Sequence, residues 1–378
     1  MSNRQLKKND KEVDLQKVAE YRDFRRKHPK LRFLFLELTD SCNLNCLHCG
    51  SNCQSSNIQF LDFFLIKKTL DEVADAYDTS DIWIELTGGE PALYPDLPEV
   101  IRYSKKLGFQ CGMTSNGTLI TEELAKKIAD AGLDTIAVSI DGFEESHEEF
   151  RNRKGCFEKA LCGIDNLRKV GIQAEALTVI HKKNFDELED LFEFLSSNYF
   201  YSWRLVNIEP IGRAKTNNEL LLDADEMKQL LDFIQEKQLH QKNNMNVSFG
   251  CSHFLPTKYE HEVRDWYFHC LAGIEVASVM VNGDICSCLD IERRPELVQG
   301  NVKVDDFIDV WENKFIPFRS DRTQKSRICA SCKDRKICGG DSTHTWNFDL
   351  NEPNYCVRKM LEKPSFPNKE VNYELQRN

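Results

Sequence analysis

The chain of 378 residues has no uninterrupted apolar stretch long enough to cross a bilayer. Its opening residues, Met1 to Asp10, are polar and hold no apolar signal core. It also lacks an excess of basic charge, with a formal net charge of −11. Phosphate contacts need clustered Lys and Arg, so this balance argues against a general nucleic-acid or membrane-surface binder. No internal repeat is visible by eye. These absences point to a cytoplasmic protein that has neither a nucleic acid nor a membrane as partner. Hydrophobic content of 41% and charged content of 29% are ordinary for a folded protein. The length allows one large domain and a smaller one.

Cysteine, by contrast, is abundant, with 15 in the chain. Disulfides are disfavoured in a reducing compartment, so clustered cysteines read as metal ligands or catalytic groups. Four fall between 42 and 53 and seven between 270 and 356. Of the scattered four, Cys111, Cys156 and Cys162 read as small buried hydrophobes; Cys251 is kept open as a ligand.

Between 33 and about 208, strand-like and helix-like segments alternate. Strands are expected at 33–38, 82–86, 110–114, 135–140, 173–180 and 203–208, as short β-rich runs bounded by turn residues. Amphipathic helices are expected at 61–77, 95–107, 121–131, 157–170 and 184–197, with another near 222–240. Six β–α units imply an α/β fold with a parallel sheet and helices outside. Ligands gather at the C-terminal ends of such strands. The organisation is read as a charged helical arm over 1–30, loosely docked, and a core over 31–220. A connecting region over 221–268 leads to a cysteine-rich domain over 269–362, organised around metal rather than an apolar core, and a mobile tail over 363–378.

The first cysteine group offers two registers. Cys42, Cys46 and Cys49 are spaced x3 then x2; Cys46, Cys49 and Cys53 are spaced x2 then x3. Iron–sulfur clusters normally take four cysteines, so a triad leaves one iron open for a small molecule. A zinc site is the third option. Three polar strand ends decide in favour of the 42/46/49 register. Gly88-Gly89-Glu90 lets backbone approach a ligand and supplies an acceptor for an ammonium group. Thr114 to Thr118 and Ser139 to Gly142 add hydroxyl, amide and carboxylate groups suited to a ribose and an amino acid.

With these motifs, residues 33–215 closely resemble the radical S-adenosylmethionine (SAM) superfamily. The resemblance implies a partial (β/α)6 barrel. It implies that Cys42, Cys46 and Cys49 bind a [4Fe–4S] cluster whose fourth iron takes the SAM amine and carboxylate. Gly88, Gly89 and Glu90 would bind the SAM amine, and Ser115, Asn116, Ser139 and Asp141 the ribose and carboxylate. Arg213 is either near SAM or in a surface or substrate contact. His48 stands where the family often has an aromatic beside the adenine and reads as packing. Cys53 reads as a structural thiol, with hydrogen-atom donation as its other reading.

The C-terminal block, Cys270-x12-Gly283-x2-Cys286-x-Cys288, Cys329-x2-Cys332-x5-Cys338 and Cys356, resembles the SPASM extension of peptide-modifying radical SAM enzymes. A structural zinc site is the plainer alternative. The extension usually carries two auxiliary [4Fe–4S] clusters; one or two are expected here. Cys329, Cys332, Cys338 and Cys356 supply a set for the second. The first is in doubt, because Ser342 stands where the pattern has cysteine. Cys270, Cys288 and either Cys286 or none remain for it, with Cys251, Asp341 or His344 as further candidates. The polar run Gly339 to Trp346 either lines a substrate route or surrounds the cluster.

The resemblance implies hydrogen abstraction by a 5′-deoxyadenosyl radical from a ribosomally synthesised precursor peptide, giving a thioether or carbon–carbon side-chain crosslink. Peptide epimerisation, with Cys53 or Cys251 as donor, and formylglycine formation for sulfatases are alternatives. A non-catalytic electron-transfer protein is the reading from another class; it would need no SAM pocket. Expected partners are an electron donor such as flavodoxin or ferredoxin and a separate leader-peptide recognition protein, since the first 30 residues are too short for a winged-helix-sized module.

Overall fold

The computed structural model describes residues 15–362 except 54–57, 199, 241–244, 251–252, 265 and 355. Cys251 and the tail after 362 therefore lie outside the described residues. Six strands run in parallel and in chain order: β1 (Phe33–Glu37), β2 (Trp83–Thr87), β3 (Gln110–Ser115), β4 (Thr135–Ser139), β5 (Ala174–Ile180) and β6 (Ser202–Asn207). In-register apolar pairs such as Leu34 with Ile84 and Leu36 with Leu86 are wholly buried. Buried and half-buried positions alternate along β2, whereas β4 buries four consecutive residues, as a strand covered on both faces does.

The helices are α1 (Leu15–Lys27), α2 (Phe63–Ala76), α3 (Leu97–Lys106), α4 (Glu122–Ala131), α5 (Glu144–Arg151), α6 (Cys156–Lys169), α7 (Leu188–Ser197) and α8 (Ala224–His240). Asp62 caps α2 by accepting from Phe64 N at 2.8 Å. Thr121 caps α4 by accepting from Leu124 N at 3.1 Å, and Gly132 ends that helix in the left-handed region (φ 93°). Buried faces such as Leu70 and Val73, Val100 and Ile101, and Ile128 close over the sheet.

The sheet is wider than six strands. β7 (Asn246–Phe249) adds in parallel beside β6, within the stretch expected as a connection. β8 (Val276–Val279) adds in parallel beside β1, and β9 (Asp284–Cys286) and β10 (Gly300–Asn301) follow antiparallel. Val279, Ile285, Val302, Phe307, Val310, Trp311 and Phe315 join the main apolar core. So much of the C-terminal block is held by ordinary burial, and organisation around cysteine is confined to its later part. Cys162 is exposed rather than buried, whereas Cys111 and Cys156 are buried.

Residues 15–27 of the arm are better anchored than their charge suggests; residues 1–14 lie outside the described ones. α1 buries Val18, Ala19 and Arg22. Arg25 Nε donates to Glu275 Oε1 at 2.9 Å between two largely buried side chains. Arg26 donates to Gly339 O at 3.3 Å. These partners lie some 250 to 313 residues away in sequence, which is why local polarity did not reveal them.

Candidate active site and cysteine clusters

The Cys42–Cys49 loop leaves the C-terminal end of β1 and is braced from three directions. Thr39 and Ser41 hold it to β2, since Gly89 N donates to Thr39 O (2.7 Å) and Glu90 N to Ser41 O (2.9 Å). A Cβ on Gly88 would lie 2.4 Å from Thr39 O, and one on Gly89 would lie 1.9 Å from Ser41 O. The close approach that demands two glycines here is to the cysteine loop's own backbone. From the helical side, Leu47 N donates to Phe150 O at 2.9 Å.

Arg213 supplies the third brace. It donates from Nε to Cys46 O (2.7 Å), and from Nη1 to both Asn52 Oδ1 (3.2 Å) and Cys53 O (2.9 Å). Its own backbone N donates to Cys49 O at 3.0 Å. Gly212, at φ 54°, lets that chain pass; a Cβ there would sit 2.3 Å from Cys49 O. Arg213 thus acts on the loop that carries the triad.

Glu90 is wholly buried, and burial raises its pKa. Oε1 accepts from Ser115 Oγ (2.7 Å) and Ala92 N (3.1 Å), and Oε2 accepts from Asn116 N (2.8 Å). A carboxylate offers about four lone-pair sites, so one acceptor site remains. Asn116 Nδ2 donates to Asn43 Oδ1 at 2.9 Å and lies 3.8 Å from Cys42 Sγ. Asn43 in turn donates to Thr118 Oγ1 at 2.7 Å. Three of the expected residues, Glu90, Ser115 and Asn116, therefore form one network touching Cys42.

Ser139 ends β4 and is buried, and Asp141 follows it with no exposure. Asp141 Oδ1 accepts from Val179 N at 2.9 Å, and Oδ2 pairs with Arg151. Burial would raise the Asp141 pKa, but Arg151 and neighbouring histidines bring it down to about 2. Arg151 then reaches 3.6 Å to Cys46 Sγ. No motif at the end of a strand marks Arg151; only α5, a polar helix absent from the expected elements, carries it there. His48 stacks on Phe150 (4.3 Å, 8°), which stacks on His181 (3.9 Å).

Burial pushes the Cys42 thiol up to about 12 and raises Cys46 as well. Cys49 differs: a hydrogen bond from the buried Cys53 thiol brings it down to about 5 while Cys53 itself goes up. Cluster loading would deprotonate the triad, coupling binding to proton release. Among the described residues, no three His, Cys, Asp or Glu side chains are gathered around a point as a single ion requires. Cys42 and Cys49 pack against a small buried cluster of Leu44, Cys46 and Cys156, so the loop brings the three thiols together as ligands of one cluster would be.

Cys329, Cys332, Cys338 and Cys356 line a single hollow of about 390 Å³ including its mouth. Polar donors point at two of the sulfurs: Asp341 N at 3.2 Å from Cys338 and Arg358 at 3.6 Å from Cys332. Cys270, Cys286 and Cys288 are not drawn into it. Cys270 Sγ lies 3.1 Å from Thr343 Oγ1, Cys286 Sγ lies 3.3 Å from Met280 Sδ, and Cys288 packs against the main core.

A buried polar network, unforeseen from sequence, joins the two regions. His253 sits between Glu209 Oε1 (3.0 Å), just past β6, and Asp341 Oδ2 (3.2 Å). His344 Nε2 lies 3.6 Å from the same Glu209 oxygen. Burial opposes charge on both partners, yet their pairing raises His253 to about 10 and lowers Glu209 to about 2. The Gly339–Trp346 segment is thereby tied to the C-terminal end of the barrel strands.

Comparison with known proteins agrees with this layout. The sequence model of the radical SAM superfamily matches residues 36–195, and that of an iron–sulfur cluster-binding domain, SPASM, matches 270–333. An AdoMet-dependent heme synthase of Methanosarcina barkeri is 28% identical over 351 residues, covering 88% of this chain and 98% of that one. The mycofactocin maturase MftC of Mycolicibacterium smegmatis is 27% identical over 308 residues, covering 80% and 76%. Streptococcus suis SuiB bound to S-adenosylmethionine has the same fold, with a TM-score of 0.70 at 19% identity over 92% of this chain and 82% of the other.

Proposed function

We propose that this chain, which belongs to the radical SAM superfamily and carries a SPASM domain, abstracts hydrogen from a ribosomally synthesised peptide and crosslinks its side chains. Cys42, Cys46 and Cys49 would hold the SAM-binding cluster, and Cys329, Cys332, Cys338 and Cys356 an auxiliary one. When bound, the first cluster and SAM supply a one-electron cleavage that releases methionine and a 5′-deoxyadenosyl radical. Glu90 would accept from the SAM ammonium with its remaining site. Asn116 and Ser139 would face the ribose and carboxylate, and Asp141 would hold Arg151 against Cys46.

The observation that carries the peptide reading is the junction of the SPASM-type hollow with the barrel. The Asp341–His253–Glu209 bridge fixes the polar 339–346 segment at the strand ends where the radical would form. The likeness to a mycofactocin maturase supports it. A second reading, a tetrapyrrole substrate, is favoured by the heme synthase relative, which this chain matches over 98% of its length.

The experiment pairs the anaerobically reconstituted protein, SAM and a reductant with two substrate sets. One is the short peptides encoded beside the gene, followed by mass and stereochemistry. The other is an iron porphyrin with carboxylate side chains. Deuterium moving from a labelled peptide into 5′-deoxyadenosine, with a crosslinked product, supports the first reading. Transfer from the porphyrin alone replaces it with the second.

A further inference from the structure

A second hollow lies across Cys338 from the four-cysteine one. It holds about 440 Å³ including its mouth and is walled by Arg22 and Arg26 of α1, by His269 and Cys270, and by Arg322 and Thr343 among others. By the family pattern, Cys270 belongs to a first auxiliary cluster. The residues here do not fit one. Apart from Cys338, shared with the neighbouring hollow, Cys270 is the only cysteine in this wall. Its sulfur accepts from Thr343 N at 3.3 Å. Ser342 is buried with its hydroxyl 3.3 Å from Thr345 Oγ1. The Asp341 carboxylate is occupied by His253, Phe254 N and Ser342 N. Among the described residues, which do not include Cys251, four cysteines, the normal complement of a four-iron cluster, are not at hand.

What the hollow has instead is a buried guanidinium with unspent hydrogen-bond donors. Arg22 is 3% exposed, and none of its three guanidinium nitrogens has a hydrogen-bond partner among the described residues. The Phe254 ring lies 5.8 Å from its guanidinium carbon, and the charges of Cys338 and Glu260 favour it, but a buried cation whose donors make no hydrogen bonds is costly to keep. Its cationic neighbours are already engaged. Arg26 donates to Gly339 O, and Arg322 donates to Gly340 O, Asp341 O and Thr343 Oγ1. His269 Nε2 is the other buried nitrogen of this wall without a partner.

We propose that this hollow is a carboxylate-binding site standing in place of a third iron–sulfur cluster, with Arg22 as its anchor and His269 as a second polar contact. One free guanidinium fork matches the two oxygens and single charge of a carboxylate, whereas a phosphate dianion would leave charge uncompensated. The site shares its Asp341–Thr343 wall with the strip that reaches Glu209 through His344, so a carboxylate there sits beside the barrel junction. Its source is either a carboxyl group of the substrate or a free small acid; the site stands whether the substrate is a peptide or a porphyrin.

The test uses the anaerobically reconstituted, full-length protein. Iron analysis is expected to give about eight irons per chain, two four-iron clusters. About twelve, with about four lost in Cys270→Ser, overturns the proposal. Acetate is expected to raise the unfolding temperature saturably, and inorganic phosphate to do so at least tenfold more weakly; the reverse order, or no acetate effect, overturns it. Arg22→Met should abolish the acetate shift. Arg22→Lys keeps the charge but loses the fork, and should weaken acetate at least tenfold. If Arg22→Met keeps the acetate shift and instead alters the EPR signal of the 329–356 cluster, Arg22 is that cluster's counter-charge and the proposal fails. Competition of acetate with substrate assigns the carboxyl group to the substrate; saturable binding without competition assigns it to a free acid.

Discussion

Gly89→Ala isolates what the Gly-Gly-Glu motif does. The new Cβ would lie 1.9 Å from Ser41 O, 2.3 Å from Ser41 C and 3.0 Å from Cys42 N. All three are backbone atoms, so no side chain can swing away. Reaching the 3.0 Å that real Cβ contacts respect requires the Ser41–Cys42 segment or β2 to retreat by about 1.1 Å, the difference between 3.0 and 1.9 Å. That movement would strain the Glu90 N to Ser41 O bond of 2.9 Å. Overpacking of this kind costs about 1–3 kcal/mol. A misplacement of about 1 Å costs on the order of 100-fold in rate. The assay is 5′-deoxyadenosine formation with SAM and reductant, alongside iron content and denaturant unfolding. Gly171→Ala is the control, because a Cβ there meets nothing within 4 Å and only its left-handed backbone (φ 83°) resists; it should keep full activity. Gly89→Ala with parental iron content and rate would refute the claim that these glycines exist to seat the cysteine loop.

Three further outcomes follow from the same geometry. Asp141→Asn leaves Arg151 as a buried, unpaired cation and should cost about 3–5 kcal/mol in denaturant unfolding, far more than an exposed carboxamide would. Arg213→Met removes three side-chain bonds to the cysteine loop, about 1 kcal/mol each; the SAM-sensitive EPR signal should be lost faster than that of the 329–356 cluster. For the His253–Glu209 pair, the raised His253 pKa means its stabilisation is complete below about 6.5 and fades as pH rises through about 10. The lowered Glu209 pKa means its stabilisation is complete above about 4.3 and fades as pH falls towards about 2. His253→Asn should flatten the alkaline limb of stability against pH; an unchanged limb would show that the pair is not its source.

The barrel was legible because its strands and helices each bury a regular apolar pattern, from Phe33–Glu37 to Ser202–Asn207. Helix α5 was not, since Glu144–Arg151 is mostly polar and is set by its placement between β4 and the cysteine loop. β7 and β8 are four residues each, too short for periodicity to speak, and gain their pairing only once β6 and β1 exist. The cysteine triad and polar strand ends could be read from spacing. Arg151, Asn43 and the His253 bridge could not, because each depends on contacts made across more than 40 residues of chain or by a helix that pattern alone does not reveal. Within the arm, of which residues 1–14 lie outside the described ones, charged residues read as solvated, yet Arg22 is buried and Arg25 pairs with Glu275 of the C-terminal block.

The most direct test of the central claim is 5′-deoxyadenosine production from SAM by the reduced, anaerobically reconstituted protein, with and without Cys46→Ser. The parent should cleave SAM to methionine and 5′-deoxyadenosine, and Cys46→Ser should not, while retaining the irons held by Cys329, Cys332, Cys338 and Cys356. No cleavage by the parent, or equal cleavage by Cys46→Ser, would contradict the assignment of the Cys42–Cys49 loop as the seat of radical chemistry.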